Sequence, residues 1–209
     1  MTREEKYIFD NSSPISDALV WLERETNLRT SHARMLTGAV QGRFLELIAC
    51  LLKPHKILEI GTFTGYSAIC LAKGLDEGGI LDALEKNDEL ATLIEEAIQR
   101  ANLSDKIILH YGDALEIIPK LNSSYELVYI DANKREYTRY YDLIIEKVPS
   151  GGIILADNVL WDGKVYQENV PSDAQTQEIL KFNQKVREDC RVENFILPLR
   201  DGINIIKKI

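Results

Sequence analysis

The residues that could do chemistry fall at the ends of apolar runs. Glu59 and Gly61 end Ile57–Ile60, and Glu85 ends the run 79–84. Asp113 follows Ile107–Leu109, Asp131 follows Tyr125–Ile130, and Asp157 with Asn158 follows the run 152–156. If these runs are parallel strands, their ends share the side on which open α/β sheets bind ligands. The first end is the most specific. Lys56-Ile-Leu-Glu-Ile-Gly-Thr-Phe-Thr-Gly-Tyr-Ser67 reads as a buried strand that breaks at Gly61 into a tight loop and enters a helix. Gly61 and Gly65 lie four apart around the bulky Phe63, unlike the G-x-G-x-x-G turn shaped for a pyrophosphate. Glu59 stands where a cationic group could be met. The loop therefore suits a nucleoside with positive charge and no phosphate, and S-adenosylmethionine, a sulfonium and an ammonium, is such a ligand. Glu85 follows by about the 20 residues at which an acid reaches ribose hydroxyls. The competing account is that each acid merely caps the next helix.

Asp131, Asp157 and Asn158 form a second constellation. Three oxygen ligands without His or Cys suit a hard divalent cation such as Mg²⁺, Mn²⁺ or Ca²⁺ and disfavour zinc. An Asx turn after a strand would explain Asp157-Asn158 equally well. Lys134 lies three residues past Asp131 at the start of the next helix, where a cation is electrostatically unfavourable. The competing reading is a solvated surface lysine.

These groups need a scaffold of alternating elements. The chain up to about Leu52 reads as helical, with an amphipathic segment from Ile15 to Leu22 and a strongly apolar one from Phe44 to Leu52, closed by Pro54. Strands are then expected at Ile57–Ile60, 79–84, Ile107–Leu109, Tyr125–Ile130, 152–156, Val192–Leu197 and 202–209. Helices are expected at 66–75, at 90–101 after a cap at Asn87 or Asp88, at 137–148, and, after a loop from Val159 to Ser172, on to about Cys190. Asp201-Gly202 marks a turn between the last two strands. The pattern implies an α/β fold: a doubly wound, mostly parallel seven-stranded sheet with an antiparallel C-terminal hairpin and added N-terminal helices.

The 209 residues read as one domain, 1–209, with residues 1–52 as a helical extension packed on it. With 45% hydrophobic and 28% charged residues the composition is that of a globular protein. A net charge of −8 argues against nucleic acid or an anionic membrane as partner. No run approaches the roughly 20 apolar residues of a membrane span, and the first residues lack an apolar signal core, so a cytoplasmic location is expected. Cys50, Cys70 and Cys190 have no metal spacing. Cys50 and Cys70, in apolar helical stretches, are expected as buried free thiols.

Taken together, Ile57-Leu-Glu-Ile-Gly-Thr-Phe-Thr-Gly-Tyr-Ser67, Ile130-Asp-Ala-Asn-Lys-Arg-Glu-Tyr137 and Ala156-Asp-Asn-Val-Leu-Trp161 resemble the class I S-adenosylmethionine-dependent methyltransferases. More specifically, the chain resembles the cation-dependent O-methyltransferases of the caffeoyl-CoA and catechol O-methyltransferase type. It extends from Met35-Leu-Thr-Gly…Gln41-Gly to Leu197-Pro-Leu-Arg-Asp-Gly-Ile203. The resemblance implies a Rossmann-like methyltransferase fold, a homodimer, and roles by residue. Glu59 and Gly61 would line the methionine moiety, with Thr37 and Ser67 nearby; Glu85 would accept the ribose hydroxyls, and Asp113 and Ala114 would flank the adenine. Asp131, Asp157 and Asn158 would bind the metal, Mg²⁺ first among the candidates, with Asp131 also bordering the cofactor. Lys134 would sit beside the acceptor hydroxyl, making Lys134 and Asp131 the candidate catalytic residues. Lys134, Asn158 and Trp161 would frame the acceptor pocket.

Two departures bear on the acceptor. Asn133 stands where many relatives carry an acid. The segment 173–182 lacks the Tyr-Tyr and Arg pattern of the plant caffeoyl-CoA enzymes, which points to a small catechol-like phenol or flavonoid rather than a CoA thioester. The expected reaction is methyl transfer to a metal-chelated phenolic hydroxyl. Its rivals are a non-catalytic S-adenosylmethionine-binding module and a nicotinamide-dependent oxidoreductase, and Phe63 argues against the pyrophosphate that the second requires.

Overall fold

Seven strands form one sheet in the computed structural model, which describes residues 2–209. They are β1 (Lys56–Ile60), β2 (Ile80–Glu85), β3 (Ile107–Tyr111), β4 (Leu127–Ile130), β5 (Ile153–Asp157), β6 (Val192–Leu197) and β7 (Ile203–Lys208). Their spatial order is β3-β2-β1-β4-β5-β7-β6. The first five pair in parallel, and β7 runs antiparallel to both β5 and β6. The chain winds outward from β1 through β2 to β3, then returns to place β4 on the other side of β1. That reversal lies between the carboxyl ends of β1 and β4, the place where such sheets open a crevice.

β1, β4 and β5 are buried at almost every position because helices cover both faces. On one face Ile57, Ala83, Leu127, Tyr129 and Leu155 pack with the helices α2 (Asp17–Arg29), α3 (Ala39–Leu52), α4 (Tyr66–Ala72) and α5 (Ala91–Arg100). On the other, Leu58, Ile60, Val128, Ile130 and Ile154 meet α6 (Ala114–Ile117), α7 (Tyr137–Ile144) and α8 (Ala174–Glu188). The first helix, α1 (Arg3–Asp10), leaves Tyr7 and Phe9 exposed.

The N-terminal helices are anchored by particular contacts. The Arg100 guanidinium lies 4.2 Å from the Trp21 ring centroid, which ties α2 to α5. A Cβ on Gly74 would stand 2.4 Å from the backbone of Ala49, so the chain just past α4 approaches α3 closely only because that side chain is missing.

Several expectations need correction. The helix begun at Tyr66 ends at Ala72, before Gly74. The fourth strand begins at Leu127: the Tyr125 N–H donates to Lys147 O (2.8 Å), outside the sheet, and its hydroxyl to Asp82 Oδ2 (3.0 Å). Glu85 and Asp157 are the last residues of their strands rather than the first beyond them. Cys70 is buried, but Cys50 is exposed, since it lies on the outer face of α3. The stretch Ala33–Leu52 has a mean hydropathy of 1.4 over a window within its 20 residues, long and apolar enough to cross a membrane. It breaks at Gly38 (φ +75), and Leu45 and Ala49 join the core, as in a helix packed on a sheet.

Candidate active site

The glycine loop is fixed from three sides. Gly61 has φ +95, and a Cβ there would lie 2.1 Å from the Asp131 carbonyl, so the exits of β1 and β4 touch and no side chain fits. The Gly61 N–H donates to Leu84 O (3.0 Å) and the Asp131 N–H to Ile60 O (2.9 Å), lacing three strand ends together. Phe63 takes a left-handed φ of +52, and its N–H donates to Glu85 Oε2 (2.6 Å). From beneath, Thr26 of α2 donates its hydroxyl to that of Thr64 (3.0 Å).

The capping account explains one acid. Asp113 accepts from Leu115 N (2.9 Å) at the start of α6, and its other oxygen meets Lys86 Nζ (2.8 Å), which together hold its carboxyl below the ordinary range. Glu85 instead latches the loop through Phe63, and its second oxygen accepts from Asn87 N (2.8 Å). Asn87 caps the following turn by accepting from Glu89 N (3.1 Å).

Glu59 is fully buried on the face of β1 that carries Ile57. One oxygen accepts from the Thr62 hydroxyl (2.8 Å), and the other has no hydrogen-bond partner. Burial raises its carboxyl to about 7, opposed by the Ser67 and Thr62 hydroxyls and assisted by the charges of Asp131 and Glu85. Glu59 stands behind the cavity wall rather than in it, with Ser67 and Thr62 between it and the cavity.

The second constellation converges. Lys134 is buried, 7% exposed, in the turn before α7, which discards the surface reading. Its Nζ donates to Asp131 Oδ1 (2.7 Å) and to the Tyr137 hydroxyl (2.6 Å). The Tyr137 hydroxyl donates in turn to the Asp157 carbonyl (2.9 Å). Asp157 Oδ2 accepts from Gln41 Nε2 and the Tyr129 hydroxyl (2.9 Å), and Oδ1 accepts from Asn158 N (2.7 Å). The last is a bond between adjacent residues and not an Asx turn, which joins residues two apart. Burial and then the charge of Asp131 push the Asp157 carboxyl up, against the pull of Lys134, Gln41 and Tyr129. Burial pushes the Asp201 carboxyl up, and the Asp162 N–H, the charge of Lys134 and the side-chain amide of Asn158 (φ +56) oppose it.

A cavity of about 690 Å³ opens over these ends. Its lining includes Thr37, Gly61, Ser67, Glu85, Asp113, Ala114, Asp131, Lys134, Asp157, Asn158 and Trp161, every predicted site residue except Glu59. Trp161 enters on three successive left-handed residues, Trp161 (φ +48), Asp162 (φ +51) and Gly163 (φ +74), and its buried Nε1 has no partner. Sequence reasoning missed Gln41, Tyr129, Tyr137 and Arg200. The first three bind the residues that it found, and the fourth lines the same cavity. Gln41 stood inside a quoted motif, but a glutamine or tyrosine in an apolar run carries no sign of what it will bond.

Among the described residues, no three His, Cys, Asp or Glu side chains gather as a metal-binding group. The set at issue is two carboxylates and an amide. It fits a hard cation on two counts: the donors are oxygens, and Asp131 and Asp157 are close enough for the charge of one to raise the other.

Comparison with known proteins agrees with this geometry. The family model described as O-methyltransferase matches residues 10–209. Caffeoyl-CoA O-methyltransferase 1 of Eucalyptus globulus is 35% identical over 188 residues, covering 84% of this chain and 75% of that protein. The O-methyltransferase of Bacillus cereus in complex with SAH superposes with a TM-score of 0.90 at 28% identity, over 100% of this chain and 98% of the other. An O-methyltransferase of tomaymycin synthesis from Streptomyces achromogenes, in complex with SAM, gives 0.91 at 26% identity, over 100% and 99%. With a seven-stranded sheet, a donor loop at its switch point and matches over nearly the whole length, the chain belongs to the O-methyltransferase family and is an S-adenosylmethionine-dependent O-methyltransferase.

Proposed function

We propose that this enzyme methylates a phenolic hydroxyl of a small catechol-like molecule, with a divalent cation holding the acceptor. One observation carries the reading: Asp131, Asp157 and Asn158 share a cavity wall with buried Lys134, beside the donor loop. Asp131, Asp157 and Asn158 would hold the cation. Bound there, it would supply Lewis-acid chemistry, favouring ionisation of a hydroxyl whose free pKa is near ~10.

The chain's own residues do the rest. Lys134, paired with Asp131, would stand beside the acceptor hydroxyl and either take its proton or stabilise the oxygen that loses it. Tyr137 fixes the Lys134 amine, and burial raises its own phenol far above the ordinary range, so it remains a neutral donor. Thr37, Ser67 and Glu85 would hold the methyl donor across the cavity, and Trp161 would wall the acceptor. Opposite charges vanish when a phenolate takes a methyl group from a sulfonium, so positioning governs the rate.

A homodimer is part of the proposal. Val40, Leu47 and Leu51 share the outward face of α3, at 49%, 56% and 72% exposure, an apolar stripe of the kind that marks an interface.

The test is to incubate the protein with S-adenosylmethionine, Mg²⁺ and a panel of catechols and to measure S-adenosylhomocysteine with and without EDTA. Turnover that EDTA abolishes supports the reading. No turnover on any acceptor would favour a binding module, and turnover indifferent to EDTA would remove the cation.

A further inference from the structure

The turn between β6 and β7 serves two walls of the cavity. On one side it holds the Trp161 loop: Val159 N donates to Gly202 O (3.1 Å) and Leu160 N to Asp201 O (2.9 Å), and Asp162 N donates to the side-chain Oδ1 of Asp201 (2.6 Å). On the other side stands Arg200. Its Nη1 donates to the carbonyls of Leu36 (3.2 Å) and Thr37 and to Gln41 Oε1 (3.3 Å), reaching a segment some 160 residues away in the chain. Leu36 and Thr37 line the cavity. Arg200 does this from φ +51, a left-handed backbone that a glycine would adopt without strain. The arginine is therefore disfavoured by its own backbone, and its value lies in its side chain.

The contact with Gln41 has a second effect. An amide whose oxygen faces a guanidinium must point its nitrogen the other way, and Gln41 Nε2 donates to the Tyr129 hydroxyl (2.9 Å) and to Asp157 Oδ2. A flipped amide would set oxygen against the Asp157 carboxylate.

We propose that Arg200 is a positioning residue: a clasp that closes segment 36–41 over the methyl-donor pocket and fixes the Gln41 amide in the sense that supports Asp157. The proposal rests on the methyltransferase reading only for its consequence in binding. The clasp itself is a property of the protein alone.

The informative variant is Arg200→Gly, which removes the side chain and relieves the backbone, so the fold should persist. Hydrogen exchange on the protein without ligand should show amides of residues 36–42 exchanging about tenfold faster, with β1, β4 and β5 at wild-type protection. Calorimetry with S-adenosylhomocysteine should show binding weakened about fivefold, as expected for loss of a few modest hydrogen bonds. Arg200→Lys should restore only part of both, because the lysine side chain is one atom shorter and its ammonium falls short of the Nη1 position from which all three contacts are made. Exchange at 36–42 and affinity both at wild-type values in Arg200→Gly would overturn the proposal. Full rescue by lysine would overturn the bridging geometry. If Arg200→Gly fails to fold, Arg200→Lys carries the same two measurements. Exchange needs no acceptor or metal, so failure of the catechol assignment leaves this test standing.

Discussion

At the scale of single residues, the site is a small set of charges that bury and restrain one another. Lys134 is held between Asp131 and Tyr137 rather than free in solvent. Lys134→Ala should lower kcat by about 10²-fold, the usual cost of losing one charge-stabilising donor. S-adenosylmethionine affinity by calorimetry should stay near wild type, and an equal loss in both would contradict the role. Glu59 makes a prediction with a pH signature. Its carboxyl sits at about 7 in the folded protein against an ordinary 4.5. Between those values the folded state keeps a proton that the unfolded state has lost. Stability therefore falls as pH rises through this window, by on the order of 3 kcal/mol once pH exceeds 7. Glu59→Gln should flatten that fall in denaturant midpoints while weakening binding of the cationic methyl donor. An unchanged pH slope would show that Glu59 is not the group responsible. Glu59 was legible in sequence as the acid before the glycine, but its place behind Thr62 and Ser67 was not, because strand alternation decides the face and the apolar run did not alternate.

At the scale of elements, the donor loop and the exit of β4 form one unit, joined at Gly61. Gly61→Ala forces a side chain into the Asp131 carbonyl at a left-handed φ, and should cost about 3 kcal/mol or more by urea denaturation. A variant within experimental error of wild type would refute that close approach. The strands and their acidic ends were readable because buried parallel strands are continuous apolar runs that stop at polar residues. What sequence could not show were bonds across long separations. Gln41 meets Tyr129 and Asp157 88 and 116 residues away, and Arg200 meets Thr37 163 residues away. Nor did it show that the left-handed run ending at Gly163 begins two residues earlier, at Trp161 and Asp162. Tyr125 extended the apolar run of β4 by pattern alone, but its backbone N–H bonds Lys147 O and not a neighbouring strand.

At the scale of the whole molecule, the helical N-terminal segment supplies both the roof of the site and an exposed apolar surface. The second was misread in part. Cys50 lies outside because the apolar content of α3 exceeds what its buried face needs. Leu47→Asp combined with Leu51→Asp should convert a dimer to a monomer in sedimentation experiments; a wild-type protein that sediments as a monomer would contradict the assignment. The same fold brings the donor loop of β1 and β2 to the oxygen set of β4 and β5, and the central claim is that the two halves act together through a cation. The direct measurement is a Mg²⁺ titration of metal-stripped protein supplied with S-adenosylmethionine and a catechol, followed by methylated product, for wild type and Asp131→Asn. The prediction is no product without the ion, saturable recovery in wild type, and recovery in Asp131→Asn lost or moved to far higher Mg²⁺. Full turnover by the stripped wild-type protein in EDTA would contradict it.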